Sequence, residues 1–229
     1  MPTPVAVRPV VCPLCYAMPV THNRICRSPY DAVLCDLDNV IRFYDLTRLA
    51  ELEHAAGLPP GTTAALAYGP EIDLPLLLGK ITQQEWVDAV ALGLADRVPE
   101  GTARELGTAL ARAPFRADPV VVSLLRRVRA RLPLILVTNA TLELEDDLST
   151  LGLADLADHV VSSARVGVAK PDREIYEIAA ERAGVPIHRC LFVDDQLQNI
   201  EAAMALGMTG VHYRGPEDLR EALAVVLEA

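Results

Sequence analysis

The chain has 229 residues, 51% of them hydrophobic and 23% charged, with a formal net charge of −10. That length suits one domain with an inserted subdomain. The acidic balance argues against a nucleic-acid or membrane surface, and no apolar run reaches the roughly 18 residues of a membrane span.

Residues 1–29 carry Pro2, Pro4, Pro9, Pro13, Pro19 and Pro29 and show no helical period, which reads as a disordered extension. Cys12, Cys15, His22 and Cys26 have the ligand types of a zinc knuckle. The gap from Cys15 to His22 is longer than usual, however, and no glycine turn accompanies it, so the pattern argues against zinc. Without a continuous apolar stretch here no secretory signal is expected, and a reducing cytoplasm is the expected setting.

Ala32–Cys35 is an apolar run of the length of a buried parallel strand, and it ends in Asp36-Leu37-Asp38-Asn39. Alternation along extended backbone starts Asp36 and Asp38 on the same side. In an open α/β sheet, ligands bind beyond the carboxyl ends of the strands. Two carboxylates that converge repel one another and raise each other's pKa, which a divalent cation would relieve; the plainer alternative is a solvated loop. Arg42, six residues after Asp36, either contacts a second anionic or hydroxyl group of a ligand or is solvated.

Between 45 and 118 the pattern is helical. One helix begins over 45–52 and stops at Gly57. Others are predicted over 61–68, 83–94 and 101–112. Thr82 and Glu85 form a capping box, and Trp86, Val90 and Leu94 line one face, which assigns them to packing. A helix over 120–131 follows, and then an apolar run over 134–137 that ends in Thr138-Asn139. A hydroxyl and free backbone N–H groups at a strand end suit a phosphate oxygen, and also suit ordinary turn chemistry.

Further on come a helix over 143–151, a strand over 159–162, and Lys170-Pro171. There the proline can occupy the first turn of a helix over 173–183, and the lysine offers a point charge for phosphate or is solvated. Cys190–Val193 is the third apolar run and ends in Asp194-Asp195, a natural hard-cation site, with Asp195 also able to cap a helix over 198–206. A strand over 210–212 and a helix over 216–227 close the chain. Strands alternating with helices predict an α/β fold with a doubly wound parallel sheet. Cys35 and Cys190, inside strands, are packing thiols.

Asp-x-Asp, Thr, Lys and Asp-Asp together form an ordered set, and with it the sequence resembles the haloacid dehalogenase superfamily of hydrolases over most of residues 31–213. The resemblance implies a Rossmann-like core over 30–44 and 119–229 with a helical cap over 45–118, within which Leu78-Gly79-Lys80-Ile81-Thr82 is similar to a stretch found in such caps. It implies Asp36 as nucleophile, forming an aspartyl-phosphate, and Asp38 as general acid/base. It implies Thr138, Asn139 and Lys170 as phosphate-binding residues, and Mg²⁺ held by Asp36, Asp38 (through its backbone carbonyl) and Asp195, with Asp194 in support. Dehalogenating members lack an acid at the position of Asp38, so the resemblance points to a phosphatase.

Many relatives have Gly where this chain has Asn39, which tolerates left-handed backbone nearly as well. The expected partner is a small phosphorylated metabolite such as a sugar phosphate, with a nucleotide or phosphoglycolate also open. The expected assembly is a monomer or homodimer. A phosphotransferase or mutase of the same fold, and a non-catalytic phosphoacceptor signalling module, remain as alternatives.

Overall fold

The computed structural model describes residues 28–228. The Cys12, Cys15, His22 and Cys26 set and all but the last two residues of the 1–29 extension lie outside the described residues. In chain order the strands are β1 (Ala32–Cys35), β2 (Arg42–Tyr44), β3 (Phe115–Ala117), β4 (Leu134–Thr138), β5 (His159–Ser162), β6 (Cys190–Asp194) and β7 (Thr209–His212). The helices are α1 (Thr47–Ala55), α2 (Thr62–Ala67), α3 (Pro70–Leu77), α4 (Gln83–Gly93), α5 (Glu100–Ala111), α6 (Pro119–Arg129), α7 (Leu144–Thr150), α8 (Ser163–Val166), α9 (Arg173–Ala183), α10 (Leu197–Ala205) and α11 (Pro216–Leu227).

The main sheet has five strands in the order β5-β4-β1-β6-β7, all parallel. This is the doubly wound α/β arrangement expected from the strand–helix alternation. Its central strands are apolar on both faces because helices cover both. Val33, Cys35, Leu134, Leu136, Leu191 and Val193 pack on one side with Val121, Leu124, Leu125 and Val128 of α6 and Leu219, Leu223 and Val226 of α11. Ala32, Leu34, Ile135, Val137 and Phe192 pack on the other with Ile175, Tyr176 and Ala179 of α9 and Ile200 and Ala203 of α10. β1 lies between β4 and β6, so its carboxyl end, where Asp36 follows, is flanked by the ends of both neighbours.

α1 to α5 form a helical insertion with a core of its own, built on Leu49, Leu76, Trp86, Val87, Val90, Leu94, Leu106 and Leu110. The antiparallel pair β2–β3 brackets it, with Phe43 opposite Arg116. Neither strand was expected from the sequence, because three residues carry no usable period. α3 was also unexpected. It starts on Pro70 after Gly69 and contains Pro75, a residue that removes a helical donor and reads as a break. The Thr82 capping box is present, with Glu85 N donating to Thr82 Oγ1 and Thr82 N to a Glu85 oxygen at 2.7 Å. No helix among the described residues is long and apolar enough to cross a membrane.

The insertion rests on the core at Gly79, whose φ is +66° and where a Cβ would lie 2.8 Å from the carbonyl oxygen of Ala164 in α8. Gly79→Ala is expected to cost about 1–3 kcal/mol, from left-handed backbone and from a displaced contact. Gly57, at φ +72° with nothing within 4 Å of its would-be Cβ, carries only the backbone cost on the same change. Urea unfolding of the two variants separates these terms. Equal losses would mean that the approach to Ala164 contributes nothing.

Candidate active site

Asp36 follows β1 directly and extends its ladder, donating its N–H to Val193 O at 2.9 Å. The chain then turns tightly: Ile41 N and Arg42 N both donate to Leu37 O at 2.8 Å. Asn39 takes the left-handed conformation, at φ 59°. That turn carries the Asn39 amide back to Asp195, to whose Oδ2 it donates at 3.2 Å.

Asp36 is buried, and its Oδ1 accepts from Leu37 N at 2.7 Å. Lys170 Nζ lies 2.7 Å from Asp36 Oδ1 and 2.7 Å from Asp194 Oδ2, bridging two carboxylates at the ends of neighbouring strands. Burial raises the Asp36 pKa above the ordinary carboxylate value, and Lys170 opposes it. Burial alone would pull Lys170 down; Asp36 and Asp194 more than reverse this and keep it above its ordinary value. Lys170 is thus a buried, charged group held by two anions, and is not a solvated lysine.

Asp194 is fully occupied. Its Oδ1 accepts from Gln196 N at 2.8 Å and Asn199 Nδ2 at 3.0 Å, and its Oδ2 from Lys170. Asp195 uses Oδ2 for Asn39 and for Gln196 Nε2, while its Oδ1 accepts no hydrogen bond from the described residues. Asp36, Asp194 and Asp195 each place a carboxylate oxygen within 4.8 Å of the others. The side chain of Asp38 stands outside that group. Asp195 does not cap α10: Gln196 occupies that position. Pro171 likewise precedes the capping residue of α9, Asp172, which accepts from Glu174 N.

Thr138 ends β4, is 1% exposed, and its Oγ1 has no hydrogen-bond partner among the described residues. A buried hydroxyl without a partner is costly, so the atom is positioned for something that enters the site. Asn139 stands beside Thr138 at the cavity. Its side-chain oxygen accepts from Lys170 N at 2.7 Å and its amide donates to Lys170 O at 2.9 Å. Both ends of the side chain clamp the lysine backbone, and Asn139 also lines the cavity.

Arg42 is neither solvated nor free. It is 3% exposed, with Nε 2.6 Å from Asp38 Oδ1, Nη2 2.9 Å from Asp38 Oδ2 and Nη1 2.7 Å from Asp147 Oδ2. Its guanidinium also lies 5.0 Å from the Tyr44 ring centre and 5.4 Å from that of Phe115. Each of its three nitrogens donates to a carboxylate, so it braces Asp38 against Asp147. Asp147, on α7, gave no signal in the sequence.

These groups form the floor of a cavity of about 940 Å³ whose other walls come from the helical insertion, including Tyr68, Asp73, Leu76, Trp86 and Leu110. Trp86, assigned to packing by its helical spacing, also faces this space.

The matched stretches of curated relatives span about half of those proteins' length. A sesquiterpene phosphatase of Aspergillus oryzae, astK, is 33% identical over 116 residues, covering 50% of this chain and 56% of that protein. The pyrimidine 5'-nucleotidase YjjG of Escherichia coli is 36% identical over 103 residues, 42% of this chain and 46% of that protein. Among solved structures, the haloacid dehalogenase family enzyme BT-2542 of Bacteroides thetaiotaomicron, in complex with magnesium and inorganic phosphate, superposes with a TM-score of 0.61 at 21% identity, over 79% of this chain and 92% of that one. The family model for haloacid dehalogenase-like hydrolase matches residues 30–207, from two residues before β1 through α10, and the chain belongs to that family.

Proposed function

We propose that the protein hydrolyses a phosphomonoester through an aspartyl-phosphate, with Asp36 as nucleophile and Asp38 as general acid/base. The observation that carries this is the buried constellation at three strand ends: Asp36 held by Lys170, and the unpartnered Thr138 hydroxyl. A carboxylate oxygen of Asp36 attacks phosphorus, and the bond to the leaving alcohol breaks. An alkoxide leaves poorly without a proton, which Asp38 supplies; Asp38 then takes a proton from the water that hydrolyses the acyl phosphate. Lys170 and Thr138 hold the phosphoryl oxygens and offset the charge that spreads over them. Asn139 fixes Lys170 through its backbone.

Arg42 sets the rest position of Asp38, whose two oxygens it holds. When Asp38 turns toward the leaving group, Asp147 still neutralises the guanidinium.

The donor set fits Mg²⁺. Among the described residues, Asp36, Asp38, Asp194 and Asp195 face the cations Lys170 and Arg42, and Asp36 and Asp195 each keep an oxygen that accepts no hydrogen bond. Asp36 and Asp195 would hold the ion, and Asp194, saturated by Lys170 and Asn199, would orient the lysine. When bound, the metal lets an anionic nucleophile approach an anionic phosphate. The magnesium and phosphate of the BT-2542 complex support this reading, as do the phosphatase names of astK and YjjG. The partner is then a small phosphorylated metabolite.

The test is release of inorganic phosphate from a panel of phosphomonoesters, with Mg²⁺ and with EDTA. Release in step with the free alcohol, lost in EDTA and restored by Mg²⁺, is expected. Transfer of the phosphoryl group to a second substrate without free phosphate would replace hydrolysis by phosphotransfer.

A further inference from the structure

Asp38 and Asp147 hold one guanidinium from two sides. Arg42 turns Nε and Nη2 as a fork to the two oxygens of Asp38, at 2.6 and 2.9 Å, and Nη1 to Asp147 Oδ2 at 2.7 Å. The three residues belong to different parts of the fold. Arg42 opens β2, Asp38 stands in the turn between β1 and β2, and Asp147 lies in α7. The guanidinium is 3% exposed, whereas Asp38 and Asp147 are 29% and 27% exposed, and both line the cavity. Solvent thus meets the two anions far more than it meets the cation. The rings of Tyr44 and Phe115 lie against the guanidinium as well. A buried cation that loses its anion is left uncompensated, which is costly. One carboxylate is enough to neutralise one guanidinium, and a second beside the first adds repulsion between like charges. Ion pairing for stability therefore accounts for one of these two aspartates, but not for both.

The second anion has a use if Arg42 must spare the first. Both oxygens of Asp38 are turned to Arg42, and its carboxylate lies outside the group formed by Asp36, Asp194 and Asp195. Proton transfer to a leaving alcohol needs one of those oxygens within hydrogen-bond reach of the ester oxygen. Asp38 therefore has to turn out of the fork in each turnover. The cost of that turn is set by what Arg42 retains. Among the described residues, the other carboxylate paired with Arg42 is Asp147. We infer that Asp147 is a positioning residue: by keeping its own anion on the buried guanidinium, it frees Asp38 to reach the leaving alcohol. Asp147 acts through Arg42 and transfers no proton itself. The inference rests on the phosphatase reading, in which Asp38 is the acid.

The experiment uses two esters of similar size whose alcohols differ in their need for a proton. Benzyl alkoxide leaves poorly without one, and p-nitrophenolate leaves readily. With Mg²⁺ present, kcat/KM is measured on both for wild type, Asp147→Asn, Asp147→Glu and Asp38→Asn. This quantity covers the steps through loss of the alcohol, so later hydrolysis of the acyl phosphate does not enter. Asp147→Asn should lower kcat/KM for benzyl phosphate by about tenfold, and for p-nitrophenyl phosphate by no more than about twofold. The p-nitrophenyl rate is then also the control for folding. Asp147→Glu returns a carboxylate to the same side of Arg42 and should recover part of the lost benzyl-to-nitrophenyl ratio. Equal losses on the two esters in both Asp147 variants would make Asp147 a residue of the fold alone and overturn the inference. A ratio unchanged from wild type in Asp147→Asn would overturn it too. Asp38→Asn tells the two readings apart. If that change lowers the ratio and Asp147→Asn does not, the positioning role fails and the acid stands. If it leaves the ratio as in wild type, Asp38 is not the acid, and the inference falls with that reading.

Discussion

Asp36→Asn should abolish phosphate release, by at least a thousandfold, while leaving the fold intact. The amide is close to isosteric and can still accept from Leu37 N, the bond that Asp36 Oδ1 makes at 2.7 Å. It cannot form an acyl phosphate, and losing a nucleophile costs far more than losing a binding contact. Stability should move little and in a definite direction. Burial raises the Asp36 pKa, so the folded chain holds that proton more tightly than the unfolded chain. The stabilising contribution is present at low pH and is lost as pH rises through the folded value. Above neutrality the wild type therefore carries a buried charge that asparagine lacks, and the variant should unfold in urea at an equal or higher midpoint at pH 8. Activity within tenfold of wild type would exclude Asp36 as the nucleophile. Loss of activity together with loss of the urea transition would mean that the change reports on folding.

The parts of this molecule that were legible in the sequence are those where one element's own residues decide its state. The runs 32–35, 134–137 and 190–193 are apolar without alternation, and they became the three central strands because both faces are covered. The acidic pairs at 36/38 and 194/195 stood out because charges at the ends of such runs have no packing reason. What could not be read was where side chains at distant positions meet. Arg42 looks like a surface residue until β2 and α7 bring Asp147 to its other side. Asn139 has the composition of a turn, and only the approach of Lys170, thirty-one positions later, shows that it is a clamp. Trp86 sits on a face with Val90, both buried, yet only Trp86 also borders the cavity. A helical period separates inside from outside, but not a core from a cavity wall.

Lys170→Met is expected to be the most damaging single change at the site, because it acts on both stability and chemistry. Lys170 Nζ lies 2.7 Å from each of two carboxylates that are at most 8% exposed. Removing one member of a buried ion cluster leaves the others uncompensated, at about 3–5 kcal/mol, a large part of the roughly 5–15 kcal/mol that holds a typical domain. Asp194 would keep Asn199 and Gln196 N as donors, whereas Asp36 would keep only Leu37 N. The loss should therefore depend on pH in a particular sense. Burial already raises Asp36, and Lys170 is the group that opposes it; without the lysine the folded-state pKa rises further. The folded variant then holds a proton that the unfolded chain releases near its ordinary value, so its stability falls as pH climbs from about 4 through the raised value. Urea midpoints measured in EDTA at pH 5 and pH 8 should diverge more for the variant than for wild type, with the variant nearest to wild type at pH 5. Parallel midpoints across that range would show that water or a rearranged side chain already compensates Asp36, and that the lysine is there for phosphate alone.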